Sequence, residues 1–179
     1  MRFLTILLAG AGTLMLAGCD SPALISMEPA VTEQGAMFDA SLLGTWETKQ
    51  GGDLCILRRG EGNDYAVMYV SDGGARKFDG RLFLAGQSRL MDLSPKDSDD
   101  FQISGHALIR ILSSAGTLRW AYLDTDWLRQ HAAGELANRP RDGGKLLLTA
   151  PTARLVSFLA NYAADERAHA GIEEWQRLQ

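Results

Sequence analysis

The stretch Asp53-Leu54-Cys55-Ile56-Leu57-Arg58-Arg59-Gly60-Glu61-Gly62-Asn63-Asp64-Tyr65-Ala66-Val67-Met68-Tyr69-Val70-Ser71 decides the fold. Two short apolar runs, the second rich in β-branched and aromatic residues, flank a glycine-containing break. Glycine accepts the positive φ that tight hairpin turns demand, so this is the signature of a β-hairpin. Within Tyr65–Val70 both alternating faces are apolar: Tyr65, Val67 and Tyr69 on one, Ala66, Met68 and Val70 on the other. That predicts a strand covered on both sides.

Working outward, the same grammar repeats. Leu42–Lys49, Asp53–Arg59, Asp64–Ser71, Arg76–Ala85, Ser88–Leu93, Gly105–Leu112 and Thr117–Asp124 are seven candidate strands, separated by glycine-containing breaks except at Ser94–Ser104. Short strands at near-regular spacing predict an antiparallel meander closing into a barrel or a sandwich. Phe78 and Leu82 share one face of their strand, and Lys77, Asp79 and Arg81 share the other, so that strand is half exposed. Leu118, Trp120 and Tyr122 form a large aromatic face, which is core by default and a cavity floor if the barrel is hollow. The longest break, Ser94–Ser104, carries Asp97, Asp99 and Asp100. It reads as a polar loop, since it lacks the glycine and terminal glutamate of an EF-hand.

After Asp124 the period changes. Asp126–Leu136 predicts a short helix with Trp127, Leu128, His131 and Ala132 on one stripe, capped by Asp124 or Thr125. Asn138–Gly144 reads as a loop and Lys145–Thr149 as a brief strand, a candidate eighth. Thr149 is placed as the cap of an amphipathic helix with Pro151 in its first turn and Leu155, Phe158, Leu159 and Tyr162 facing the sheet. Asp165–Leu178 reads as a last, more polar helix, anchored by Ile172 and Trp175 with a Glu173/Arg177 pair at i,i+4. The fold class is therefore mainly β with C-terminal helices (α+β), the helices packed against a barrel or sandwich spanning residues 41–179.

The N-terminus carries a different message. Met1-Arg2 is followed by an apolar run from Phe3 to Leu16, shorter than the ~20 residues that a membrane span requires, and then Leu16-Ala17-Gly18-Cys19. A charge, a short apolar stretch and small residues read as an export signal. With the cysteine, the segment resembles the lipobox of bacterial lipoproteins, and the chain resembles small proteobacterial lipoproteins. The resemblance implies removal of residues 1–18 by cleavage between Gly18 and Cys19, diacylation of Cys19 and acylation of the new N-terminus. A membrane-attached, periplasm-facing protein is expected. Asp20 resembles the enterobacterial signal for inner-membrane retention, with the outer membrane as the alternative. Residues 19–40, with Pro22, Pro29 and Gly35, read as a tether, of which Leu24, Ile25, Met27, Met37 and Phe38 are apolar enough to pack on the domain.

A second resemblance rests on Gly44-Thr45-Trp46, which is similar to the Gly-x-Trp signature of lipocalin-like barrels. Thr125-Asp126-Trp127 is similar to that family's Thr-Asp-Tyr motif. The resemblance implies that Trp46 plugs the closed end of a barrel, with Arg154 placed to pack over it. A helix after Thr125-Asp126-Trp127, where another strand is expected, leaves full closure open.

Composition narrows the chemistry. The 179 residues carry a net charge of −4, and loss of the leader removes Arg2 and makes it −5. An acidic chain without a basic run does not favour nucleic acid. Of the two cysteines, Cys19 is committed to lipid, so Cys55 has no intrachain partner and reads as a buried, inert thiol. His106, His131 and His169 show no metal-ligand spacing, so no metal or other cofactor is expected. There is no Gly-x-Ser-x-Gly elbow and no phosphate loop. The leading expectation is a non-enzymatic lipoprotein binding a hydrophobic ligand or an envelope protein, with Tyr65, Arg110 and Trp120 as candidate ligand contacts. The alternatives are an envelope-glycan hydrolase using Asp124, Asp126 or His131, and a structural spacer.

Overall fold

A computed structural model describes residues 24–96, 105–114, 116–131, 134–141 and 144–178. The leader, Cys19, Asp20 and the carboxylates at 97, 99 and 100 lie outside these residues.

Eight antiparallel strands form a closed barrel. They are β2 (Gly44–Thr48), β3 (Leu54–Arg59), β4 (Tyr65–Ser71), β5 (Gly74–Ala85), β6 (Ser88–Pro95), β7 (Ala107–Ser114), β8 (Thr117–Leu123) and β11 (His169–Arg177). The seven strands expected from Ser41 to Asp124 are all present, each within a few residues of its expected ends. β11 inserts between β8 and β2, pairing with both, and closes the ring.

Residues 165–178 are therefore not a helix. Asp165 caps a 3-10 turn, Glu166–Ala168, and the chain continues as β11. The register against β8 slips between Ala170 and Glu173. This bulge breaks the period of two and leaves Ile172 and Trp175 at a spacing that mimics a helix face. Glu173 and Arg177 consequently lie along a strand, not on adjacent helical turns. The brief strand in 145–149 exists as β10 (Leu146–Leu148), but it is not the eighth barrel strand. It joins β1 (Leu24–Ser26) and β9 (Asn138–Pro140) in a separate three-stranded sheet. β9 occupies the start of the segment read as a loop.

Strand alternation divides the apolar residues into two cores. Inside the barrel, Trp46, Cys55, Leu57, Tyr65, Val67, Leu82, Met91, Ile109, Ile111, Leu118, Trp120 and Trp175 pack together. Outside, Phe83, Ala85, Leu90, Leu108 and Leu123 meet α1 (Thr125–His131) through Trp127 and Leu128, and α2 (Thr152–Tyr162) through Leu155, Phe158 and Leu159. α1 is shorter than expected, and Asp124 is its cap, its Oδ1 accepting from the Trp127 N–H at 2.6 Å. α2 begins after Pro151, which occupies the cap position without a side-chain bond. Thr149 is not the cap; its N–H donates to the Ala137 carbonyl within the connecting chain. Strand β4 is covered on one face only: Tyr65 and Val67 are buried, while Ala66, Met68 and Val70 stay partly exposed because neither helix crosses that side.

From Leu24 the segment read as a tether is built onto the barrel. β1 pairs in parallel with β10, and Ser26 bridges to His106. The buried Asp92 carboxylate accepts from the Ala30 N–H at 2.6 Å and meets His106 Nδ1 at 2.7 Å. The Thr152 hydroxyl donates to the Pro29 carbonyl. The strap then bridges Met37 to Leu82 and enters β2 through a 3-10 turn, Ala40–Leu42. Apolar Leu24, Ala30 and Val31 bury in the outer core, which is why the stretch does not behave as a linker.

Candidate functional site

The two ends of the barrel differ. At one end the turn Ala40–Leu42 crosses the opening, and the Trp46 indole Nε1 donates to the Leu42 carbonyl at 3.0 Å. The Arg177 guanidinium lies 4.3 Å over the Trp46 ring and donates to the carbonyls of Leu43 and Ser41 at 2.6 and 2.5 Å. Trp46 thus plugs this end, but its cover is Arg177 and not Arg154. Arg154 sits on α2 and reaches the Glu135 carbonyl instead. Gly44 has φ +143°, and a Cβ there would lie 2.7 Å from Arg177 Nη1, which is the local reason for glycine two residues before Trp46. Tyr65 belongs to the same plug. Its hydroxyl accepts from the Asp39 N–H and donates to the Asp39 carbonyl, and its ring stacks on Phe38.

The other half of the barrel is hollow. A cavity of about 620 Å³ runs from the interior core to the end where β2–β3, β4–β5 and β8–α1 connect. Its walls are mainly apolar, including Leu57, Val67, Met91, Ile109, Ile111 and Trp120. Trp120 is core as well as wall, since only 6 % of it is exposed and its ring packs 4.5 Å from that of Trp175.

A few polar groups face this apolar space. Glu173 lines it from β11 and accepts from the Trp120 Nε1 at 2.7 Å. Burial raises the Glu173 pKa above the ordinary carboxyl value, opposed by that hydrogen bond. Tyr69 donates its hydroxyl to Asp53 Oδ2 at 2.7 Å, and burial together with that carboxylate pushes the phenol well up. Tyr122 is raised by burial first and Glu173 second. Arg76, Asp124 and Thr125 complete the polar part of the lining. Cys55 lies in the wall with its thiol pushed up to about 12, by burial first and the Glu173 charge second, so it is not a nucleophile at neutral pH.

The residues expected to bind ligand divide three ways. Trp120 lines the cavity. Tyr65 points into the barrel but is spent on the plug, away from the hollow half. Arg110 points outward, because Ile109 and Ile111 on either side of it face in. It borders a shallow external pocket of about 350 Å³ with Arg89, Ser113 and Arg119, and its Nε is buried without a partner. The residues expected for hydrolysis each hold α1. Asp124 is its cap, exposed Asp126 pairs with Arg129 at 2.6 Å, and His131 lies flat on Trp127 with ring centroids 4.3 Å apart. His169 lies in β11 and its Nε2 meets the Ala163 carbonyl, with burial lowering its pKa. Among the described residues no group of three or more potential ligands stands ready for a metal, and no helix is long and apolar enough to cross a membrane.

Glu173, Asp53 and Tyr69 were not candidates in the sequence. Glu173 was hidden by the helical reading of its segment. The available signal was Trp175 two residues on, since both side chains face inward on a strand. Compared with protein-family models, curated proteins and solved structures, the chain matches none.

Proposed function

We propose that this chain is a lipoprotein of the bacterial envelope, anchored by acyl chains on Cys19, whose barrel binds a small hydrophobic molecule and catalyses no reaction. The observation that carries the reading is the 620 Å³ cavity with mainly apolar walls. Its size falls in the range of about 300–1,000 Å³ common for small-molecule sites, and a few convergent polar groups in apolar walls fit such a site. Asp20 favours the inner membrane; relocation of an Asp20→Ser variant to the outer membrane is the expected result, and unchanged fractionation removes that assignment.

Native mass spectrometry of residues 20–179, exported without the lipid and purified without detergent, tests the binding reading. One extra mass per chain, matching an apolar molecule, supports it. A clean mass overturns it in favour of an envelope-protein partner.

A further inference from the structure

The barrel wall parts at one seam. β6 pairs with β7 only from Leu93–Ala107 to Leu90–Arg110. Both strands extend further toward the plugged end, where β6 starts at Ser88 and β7 runs on to Ser114. On its other side each keeps a partner there, β6 through Ser88–Ala85 and β7 through Ser114–Thr117. A continued ladder would set Arg89 opposite Ile111 and Ser88 opposite Leu112, but the ladder stops and leaves a gap. Arg89 crosses that gap with its side chain. Its guanidinium donates to Ser113 Oγ and, at 2.7 Å, to Asp39 Oδ2. The external pocket of about 350 Å³ lies in this gap.

Two more arginines border the gap from outside. Arg110 and Arg119 occupy outward positions, since Ile109, Ile111, Leu118 and Trp120 face the interior. Arg110 stands opposite Ala121 and Arg119 opposite Leu112, so the two are diagonal neighbours on the outer face, about 7–8 Å apart. Like charges so placed repel, and neither has a counter-charge among the described residues. Glu174, opposite Arg119 on β11, is paired with Lys49 at 3.1 Å, and Asp39 is taken by Arg89. Arg110 Nε is buried without an acceptor, which costs free energy until one is supplied. The uncompensated charge is felt at His169, whose pKa is lowered by burial first and by Arg110 after it.

Three guanidinium groups thus border one cleft against a single carboxylate, in a chain whose net charge is −4. Gln87, Ser88 and Ser113 add amide and hydroxyl donors. Guanidinium forks match phosphate oxygens in pairs, and a phosphate monoester carries close to the two negative charges that the cleft lacks. We propose that the β6–β7 cleft binds a phosphate monoester group between Arg110 and Arg119, with Arg89 and Ser113 on its inner side. The site is separate from the cavity and lies toward the plugged end, so it stands or falls independently of what the cavity holds. An acidic chain repels anions in general. Affinity for phosphate therefore has to come from this local excess of donors.

Calorimetric titration of the full chain in maltoside micelles with inorganic phosphate at pH 8 gives the test. One phosphate per chain is expected to bind saturably, and chloride at equal concentration is expected not to displace it. Arg110→Gln and Arg119→Gln are each expected to weaken binding by about tenfold or more. Arg58→Gln, at an exposed arginine of β3 outside the cleft, is expected to leave it unchanged. Circular dichroism melts establish that the variants fold; Arg119 is exposed, so its variant decides the matter if Arg110→Gln does not fold. Competition by glucose 6-phosphate assigns a soluble ester. Competition by dihexanoyl phosphatidic acid where glucose 6-phosphate has no effect assigns a lipid head group. Absence of saturable binding, displacement by chloride, or equal weakening by Arg119→Gln and Arg58→Gln overturns the site.

Discussion

Arg177 lies over Trp46 at 4.3 Å and ties the last strand of the barrel to the turn that enters the first. The contact combines a cation over an indole face with two hydrogen bonds to backbone carbonyls that have no strand partner. Interactions of these kinds contribute about 0.5–2 kcal/mol and about 1.5–3 kcal/mol respectively, the latter for bonds to charged groups. Arg177→Ala is expected to lower stability by about 1–3 kcal/mol in urea titrations. Arg154→Ala, which loses one exposed bond of 3.2 Å, is expected to stay within about 0.5 kcal/mol. Equal effects would mean that Arg177 is not the cover of the plug.

Asp92 is expected to hold the strap. Its carboxylate is 3 % exposed and is shared between the Ala30 N–H and His106. Asp92→Ala leaves both partners without their acceptor beneath a buried segment, at a cost of about 2–4 kcal/mol. Limited proteolysis is expected to cut the variant between Met27 and Ala36 while the barrel survives. An uncut strap would show that β1 and the outer core suffice to hold it.

Glu173 makes stability depend on pH. Its pKa is raised in the folded chain, so the unfolded chain ionises first as pH increases. The stabilisation that the protonated carboxyl provides is present below the ordinary glutamate value, and it is lost as pH rises from there through the raised value. Glu173→Gln is expected to remove that decline and leave the variant at least as stable as the parent at pH 7. Urea titrations across pH 4–8 check this, and a steeper decline in the variant would contradict it.

Cys55 is fully buried, with its thiol near 12. At pH 8 a disulfide reagent such as DTNB is expected to leave Cys55 unmodified in the folded chain and to titrate it once urea unfolds the chain. Rapid reaction of the native protein would show that the cavity admits the reagent to its wall.

How far the sequence carried this picture depends on where the period of two is kept. From Gly44 to Leu123 short apolar runs are set apart by turns, all but Ser94–Ser104 marked by glycine, so the seven strands and the shared face of Leu118, Trp120 and Tyr122 were legible, whereas two apolar faces hid which side of β4 points inward. β11 was not, because the bulge at Ala170–Glu173 places Ile172 and Trp175 three apart. With β11 misread, Glu173 and Arg177 dropped out of the site and the plug. Arg110 shows the opposite case: its parity between Ile109 and Ile111 already pointed it outward. The strap was legible only as an apolar excess in a supposed linker. Its docking depends on Asp92 and His106, more than sixty residues away in sequence, and no local pattern announces such a contact.

The closing strand has a consequence for how the molecule comes into being. β2 and β8 each offer an unpaired edge until β11 arrives, and α1, β9, β10 and α2 must be made before it. A chain that folds as it is made therefore presents a seven-stranded open sheet with two adhesive borders until β11 is in place. Closure joins residues far apart in sequence, the slowest class of contact to form. Loss of the segment from His169 onward would not trim the protein at its margin; it would leave a sheet that other copies can complete.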